Sequence, residues 1–271
     1  MHSVVRPFFF IETLNTLTMC VIVIKTKGSD FVPKDTIELC FKRNPHGFAF
    51  AWNEDGEIKN FRSMDMQASL AKYEELTSRL NPANTAFMVH ARLATHGSQK
   101  IENCHCWVHG NIAFAHNGVL DIPSKDDMTD SEIFFRELFV PIMEALGMDF
   151  ALKMARTFIG SSNNKFAIIN GEGDVWITSG RQGFTKESFP GLKGKAYFSN
   201  MNWKPVSQFT SCLGFDPYEG VRKPVKAKAS GSTYSGPASS VGPRKRPAPS
   251  SPLVVVRPDA TLQERYDELP F

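Results

Sequence analysis

The chain has 271 residues, 42% of them hydrophobic and 22% charged, an ordinary globular composition with apolar mass for one large domain or two small ones. Its formal charge of +3 sits in the tail: residues 1–215 carry 22 basic and 22 acidic side chains, and residues 216–271 carry 9 and 6. A neutral body lacks the positive face a nucleic-acid-binding domain needs, so nucleic acid is not the expected partner of the main domain.

The first 18 residues contain a short apolar run broken by Arg6, Pro7 and Glu12. That is neither a secretory signal nor long enough to span a bilayer, so no membrane is expected. Five cysteines (20, 40, 104, 106 and 212) form an odd set with no paired spacing. They fit a reducing compartment, and a cytoplasmic location is expected.

Residues 20–26 (CVIVIKT) read as a buried strand, β-branched and nearly continuous. After Pro33, KDTIELCFKR has helical spacing and ends near Asn44-Pro45. Residues 47–52, a turn at Asn53-Glu54-Asp55-Gly56 and then EIKNF predict a hairpin. Residues 65–80 predict an amphipathic helix. TAFMVHAR (85–92) and NIAFAHN (111–117) read as strands joined by a long polar loop rich in His and Cys. Thr129 or Asp130 caps a helix running to 146, with a second helix to about 160. KFAIIN, a turn at Gly171-Glu172-Gly173 and DVWITSG make another hairpin, and KAYFSN a further strand. Strands at both ends with helices between predict an α+β layered domain over residues 20–215.

From residue 216 the chain is rich in Pro, Ser, Gly and Lys, a composition that cannot bury a core, so 216–258 is expected to be a disordered basic linker. Its Arg244-Lys245-Arg246 run reads as a solvated spacer rather than a nucleic-acid contact. Residues 259–271 regain apolar content and end in YDELPF. This tip resembles the acidic Pro-Phe ends of bacterial single-stranded DNA-binding proteins, which implies a docking peptide for a protein partner.

Met19-Cys20 stands directly before the first strand. If residues 1–19 are a removed leader, a propeptide or a mis-assigned start, Cys20 owns a free α-amine of pKa about 7.7–8. That amine can take the thiol proton, so nucleophile and base come from one residue. The competing reading is a small apolar cysteine opening a core strand. HARLATHG (90–97) ends a strand with Arg92 and Thr95, donors suited to a carboxylate. AHNG (115–118) ends another. Asn117 and Gly118 could together supply two N–H groups to an oxyanion. Asp130 opens a helix, where a carboxylate can hold an ammonium or simply cap. Cys104, Cys106 and His109 lack the spacing of a structural zinc site, and no metal or cofactor is expected.

Taken in order, MC, HGFAFAW, HARLATHG, ENCHCW, AHNG and TDSE resemble the class II glutamine amidotransferases, over roughly residues 19–205 and nearest to the small stand-alone members. The resemblance implies an N-terminal-nucleophile hydrolase fold, two facing sheets between helical layers. It implies Cys20 as nucleophile, Asn117 and Gly118 as oxyanion donors, Arg92 and Thr95 on the glutamine α-carboxylate, and Asp130 on its α-ammonium. Departures are His105-Cys106, where the family often has His-Pro, and Leu93, where it often has a bulkier group. No phosphate-binding or dinucleotide motif is present, so a separate synthase or acceptor-activating protein is the implied partner for released ammonia. Two alternatives are an amidase acting on another γ-glutamyl compound and a non-catalytic scaffold that works through its tail.

Overall fold

A computed structural model describes residues 19–94, 97–125, 128–204 and 254–256. The described residues up to Trp203, with Val254–Val256, belong to one compact unit; Lys204 is the only described residue of a second. Residues 1–18, most of the expected linker and all of the expected docking peptide lie outside the described residues.

Strand β1 (Val21–Lys25) is buried along its whole length. Helix α1 (Lys34–Arg43) turns Ile37, Cys40 and Phe41 inward. It stops where Pro45 would disfavour a helical Asn44, whose side chain instead donates to the Cys40 carbonyl at 2.9 Å. Strands β2 (Phe48–Glu54) and β3 (Glu57–Ser63) meet at a two-residue turn, Asp55-Gly56, with φ of +54° and +80°. That is the primed turn whose twist matches a hairpin. Asp65 caps helix α2 (Met66–Arg79) by accepting from the Gln67 and Ala68 N–H groups.

Strand β4 (Phe87–Ala91) is followed by a 3-10 turn (Ile101–Asn103), strand β5 (Trp107–His109) and strand β6 (Ile112–Asn117). Helix α3 (Asp130–Ile133) runs through a π-helical stretch (Phe134–Phe139) into α4 (Val140–Leu146), and α5 (Met148–Ile159) follows Gly147. The wider π turn brings Phe134, Phe135 and Phe139 all within 6.0 Å of the Phe114 ring. Strands β7 (Lys165–Asn170), β8 (Val175–Ser179), β9 (Thr185–Glu187), β10 (Ala196–Phe198) and β11 (Val254–Val256) complete the fold. Strands β5, β9 and β11 have no counterpart in the elements expected from sequence.

All strand pairs are antiparallel. One sheet has the order β3-β2-β4-β1-β10-β9, the other β11-β8-β7-β6-β5. Alternation along each strand assigns side chains to different layers by size. On the first sheet Val21, Val23, Phe48, Phe50, Phe87 and Val89 pack against α1 and α2. On the second, Phe114, Phe166, Ile168 and Trp176 pack against α3 to α5. Between the sheets stand Ala49, Ala51, Ala86, Ala113, Ala115 and Ala167, with Ile22, Ile24 and Met88. The architecture is the expected αββα sandwich, with most of its aromatic residues in the outer layers and six alanines among the larger side chains between the sheets.

Candidate active site

The two sheets bring separate parts of the sequence to one end of the sandwich. Cys20 precedes β1, and Arg92 follows β4, the neighbour of β1 in the first sheet. Gly118 follows β6 of the second sheet, and Asp130 opens α3. One cavity is lined by Cys20, Arg92, Leu93, His105, Gly118 and Asp130, with Ala94, Val119, Thr129 and Ser131 completing its wall.

The Cys20 sulfur is part-buried between the two backbone groups of Leu93, accepting from its N–H at 3.3 Å and facing its carbonyl at 3.5 Å. Asn200 anchors the Cys20 carbonyl with a 2.7 Å hydrogen bond. Burial pushes the thiol above its usual range; the Leu93 N–H and the Arg92 charge pull the other way, and Asp130 adds to the rise. At neutral pH the thiol keeps its proton, so a nearby base is needed to make it a nucleophile.

Arg92 is buried, and its Nη1 donates to the Ser98 carbonyl at 3.0 Å. Its backbone is clamped by His46 N–H donating to the Arg92 carbonyl and Arg92 N–H donating to the Gly47 carbonyl. Thr95, the other residue expected on a carboxylate, lies outside the described residues.

Gly118 has φ +144° and packs so closely on Asn164 that a Cβ there would stand 1.9 Å from Asn164 Oδ1. No other residue type fits. Asn117 is buried behind it and is not part of the cavity wall. Its Nδ2 donates to Ser199 Oγ at 2.7 Å, while its Oδ1 is buried without a partner. The sequence expectation of Asn117 as a cavity donor therefore needs a half-turn of the amide. Ser199 would then donate to Oδ1, and Nδ2 would become free.

Thr129 takes the cap, accepting from the Glu132 N–H at 3.3 Å. The Asp130 carboxylate is left to face the cavity. Its Oδ2 accepts from Leu120 N–H at 2.6 Å and its Oδ1 from Ser131 N–H at 2.8 Å.

His105 lines the cavity, although the resemblance to the family pattern assigns it no role and marks it only by the His105-Cys106 departure. The signal was the departure itself. Cys106 has φ +61°, a backbone conformation closed to proline, so a His-Pro pair could not adopt this turn. The His105 ring stacks on His90 at 3.9 Å and against Trp107 at 4.3 Å. His90 is fully buried with neither ring nitrogen hydrogen-bonded. Burial lowers its pKa to about 3 and that of His116 to about 4, and it holds His105 well below the usual imidazole range. Among the described residues no group of three or more His, Cys, Asp or Glu is arranged to hold a metal ion, and no helix is long and apolar enough to cross a membrane.

No protein-family model matches the chain, and no curated protein does. Solved structures do. A glutamine phosphoribosylpyrophosphate amidotransferase from B. subtilis is similar at TM-score 0.46 and 15% identity, over 66% of this chain and 41% of that one. A glutamine aminotransferase class-II domain protein from Silicibacter pomeroyi is similar at TM-score 0.41 and 14% identity, over 66% and 87%. A structure described as the allosteric regulatory enzyme of purine biosynthesis gives TM-score 0.44 and 15% identity, over 66% and 41%. The chain thus spans less than half the length of the first and third of these.

Proposed function

We propose that the protein hydrolyses the side-chain amide of glutamine through a Cys20 thioester and releases ammonia for an acceptor held by a separate protein. The observation that carries this reading is the meeting of Cys20, Arg92, Gly118 and Asp130, from four distant parts of the sequence, around one cavity. A nucleophile, a cation for a carboxylate, a close-approach glycine and an anion for an ammonium are what a free amino acid with a reactive side-chain amide requires.

In this mechanism Cys20 Sγ attacks the amide carbon, and the Cys20 α-amine, free once residues 1–19 are gone, accepts the thiol proton. The tetrahedral oxyanion is met by Gly118 N–H and, after its half-turn, by Asn117 Nδ2. Each such donor is worth about 3–4 kcal/mol of barrier reduction. The amine returns the proton to the leaving nitrogen, the C–N bond breaks and ammonia departs. Water then cleaves the γ-glutamyl thioester, giving glutamate and restoring the thiol.

The decisive measurement is the intact mass of the native protein before and after treatment with diazo-oxo-norleucine. The expected result is a chain beginning at Cys20 that gains one adduct, with the adduct and glutaminase activity both lost in Cys20→Ala. A chain that retains residues 1–19 and still hydrolyses glutamine, or one beginning at Cys20 that takes no adduct, would overturn the mechanism.

A further inference from the structure

Three walls of the cavity meet at one buried histidine. His116 is wholly buried on the helix-facing side of β6, its ring 5.0 Å from Phe166. Its Nδ1 lies 2.7 Å from Ser131 Oγ and its Nε2 2.9 Å from Asn164 Oδ1. The Asn164 Nδ2 donates to Ser162 Oγ at 2.9 Å. With the amide in this orientation its oxygen faces the ring, and a neutral His116 carries its hydrogen on Nε2. Nδ1 is then a bare lone pair, and the Ser131 hydroxyl donates to it.

Each end of this chain of bonds touches a different wall. Ser131 gives its backbone N–H to Asp130 Oδ1, and its hydroxyl stands only 3.1 Å from the same oxygen. Asn164 Oδ1, the acceptor of the imidazole N–H, is also the atom against which Gly118 packs. The backbone N–H of His116 donates to His105 Nδ1 at 3.2 Å, which leaves the cavity-lining His105 ring with its hydrogen on Nε2.

We propose that His116 is a positioning residue that ties the Asp130 wall to the Gly118 wall through Ser131 and Asn164. The ammonium-holding end and the amide-cleaving end of the cavity are thereby kept at one separation. The assignment of those two ends rests on the amide-hydrolysis reading above; the hydrogen-bonded frame does not. If the ring instead donated from Nδ1, the Ser131 hydroxyl would turn onto Asp130 Oδ1 and occupy part of the carboxylate meant for the substrate cation.

The test uses the mature protein and three variants. Ser131→Ala cuts the frame while keeping the backbone bond to Asp130, and Ser131→Thr restores a hydroxyl. His116→Phe keeps an aromatic ring but removes both bonds. Ser131→Ala is expected to raise KM for glutamine about tenfold with kcat changed by less than about threefold. Ser131→Thr should bring KM back toward the wild-type value, and His116→Phe should change KM and kcat together by about tenfold or more each.

Ring-nitrogen NMR supplies a readout independent of substrate. The wild type should show the Nε2–H tautomer at His116, and Ser131→Ala should shift the Gly118 amide resonance on the far side of the ring. A Gly118 resonance unmoved by Ser131→Ala, or folded variants with wild-type KM and kcat, would overturn the proposal. Losses that merely track reduced thermal stability would also overturn it. A wild-type protein that hydrolyses no glutamine would sink the functional reading alone, because the Gly118 resonance still decides the coupling.

Discussion

At the scale of single residues, the cavity depends on groups that cannot be exchanged for near relatives. Arg92 is buried and gives a donor to Ser98, so its fork is set in direction. Lysine would keep the charge but lose the planar fork that grips a carboxylate. Arg92→Lys is expected to raise KM for glutamine at least about tenfold while Cys20 still reacts with a small alkylating agent. An unchanged KM would remove Arg92 from the substrate site. Several of these residues were legible in the sequence because element ends carry them: Cys20, Arg92 and Gly118 flank strands, Asp130 opens a helix, and all four reach the cavity. Asn117 was legible by type but not by orientation, since its bond to Ser199 joins residues 82 apart. His105 was missed although Cys106, where a proline could not adopt the left-handed backbone, marked the turn that brings it to the cavity.

At the scale of elements, local chemistry set most boundaries. Pro33 and Asn44-Pro45 bracket α1 at both ends, and Asp55-Gly56 fixes the β2–β3 register through its primed turn. The short strands were not legible. Thr185–Glu187 is polar and pairs only with β10, so its extended form comes from a neighbour rather than from its own pattern. Val254–Val256 lies within a stretch whose composition predicts linker, yet it pairs with β8. Where an element does rest on local chemistry, one residue should matter. Asp65 satisfies two of the free N–H groups opening α2, and Asp65→Ala is expected to cost about 1 kcal/mol in denaturant unfolding. A change within a few tenths of a kcal/mol would mean that tertiary packing alone holds α2.

At the scale of the whole molecule, three buried histidines link stability to acidity. His90, His105 and His116 stay neutral in the fold, with His90 lowered to about 3 and His116 to about 4, whereas the unfolded chain titrates them near 6.5. Below that pH the unfolded state takes up protons that the folded state refuses, so stability is full above about 6.5 and falls steadily toward pH 4. His90 adds a second effect, since neither of its ring nitrogens has a partner. His90→Phe is expected to be neutral or stabilising at pH 7 and to flatten the acid decline by one group's share, read as melting temperature against pH. A marked loss of stability at pH 7, or an unchanged slope, would count against this account.

The alanines between the sheets act as spacers for the chemistry. Cys20 precedes a strand of one sheet and Gly118 follows a strand of the other, and Ala49, Ala51, Ala113, Ala115 and Ala167 stand with larger aliphatic side chains in the layer between those sheets. Methyl groups remote from any substrate thus help set how closely the two sheets, and the groups at their ends, approach. A larger side chain anywhere in that layer would act as a wedge, opening the reacting distance before it unfolded the protein.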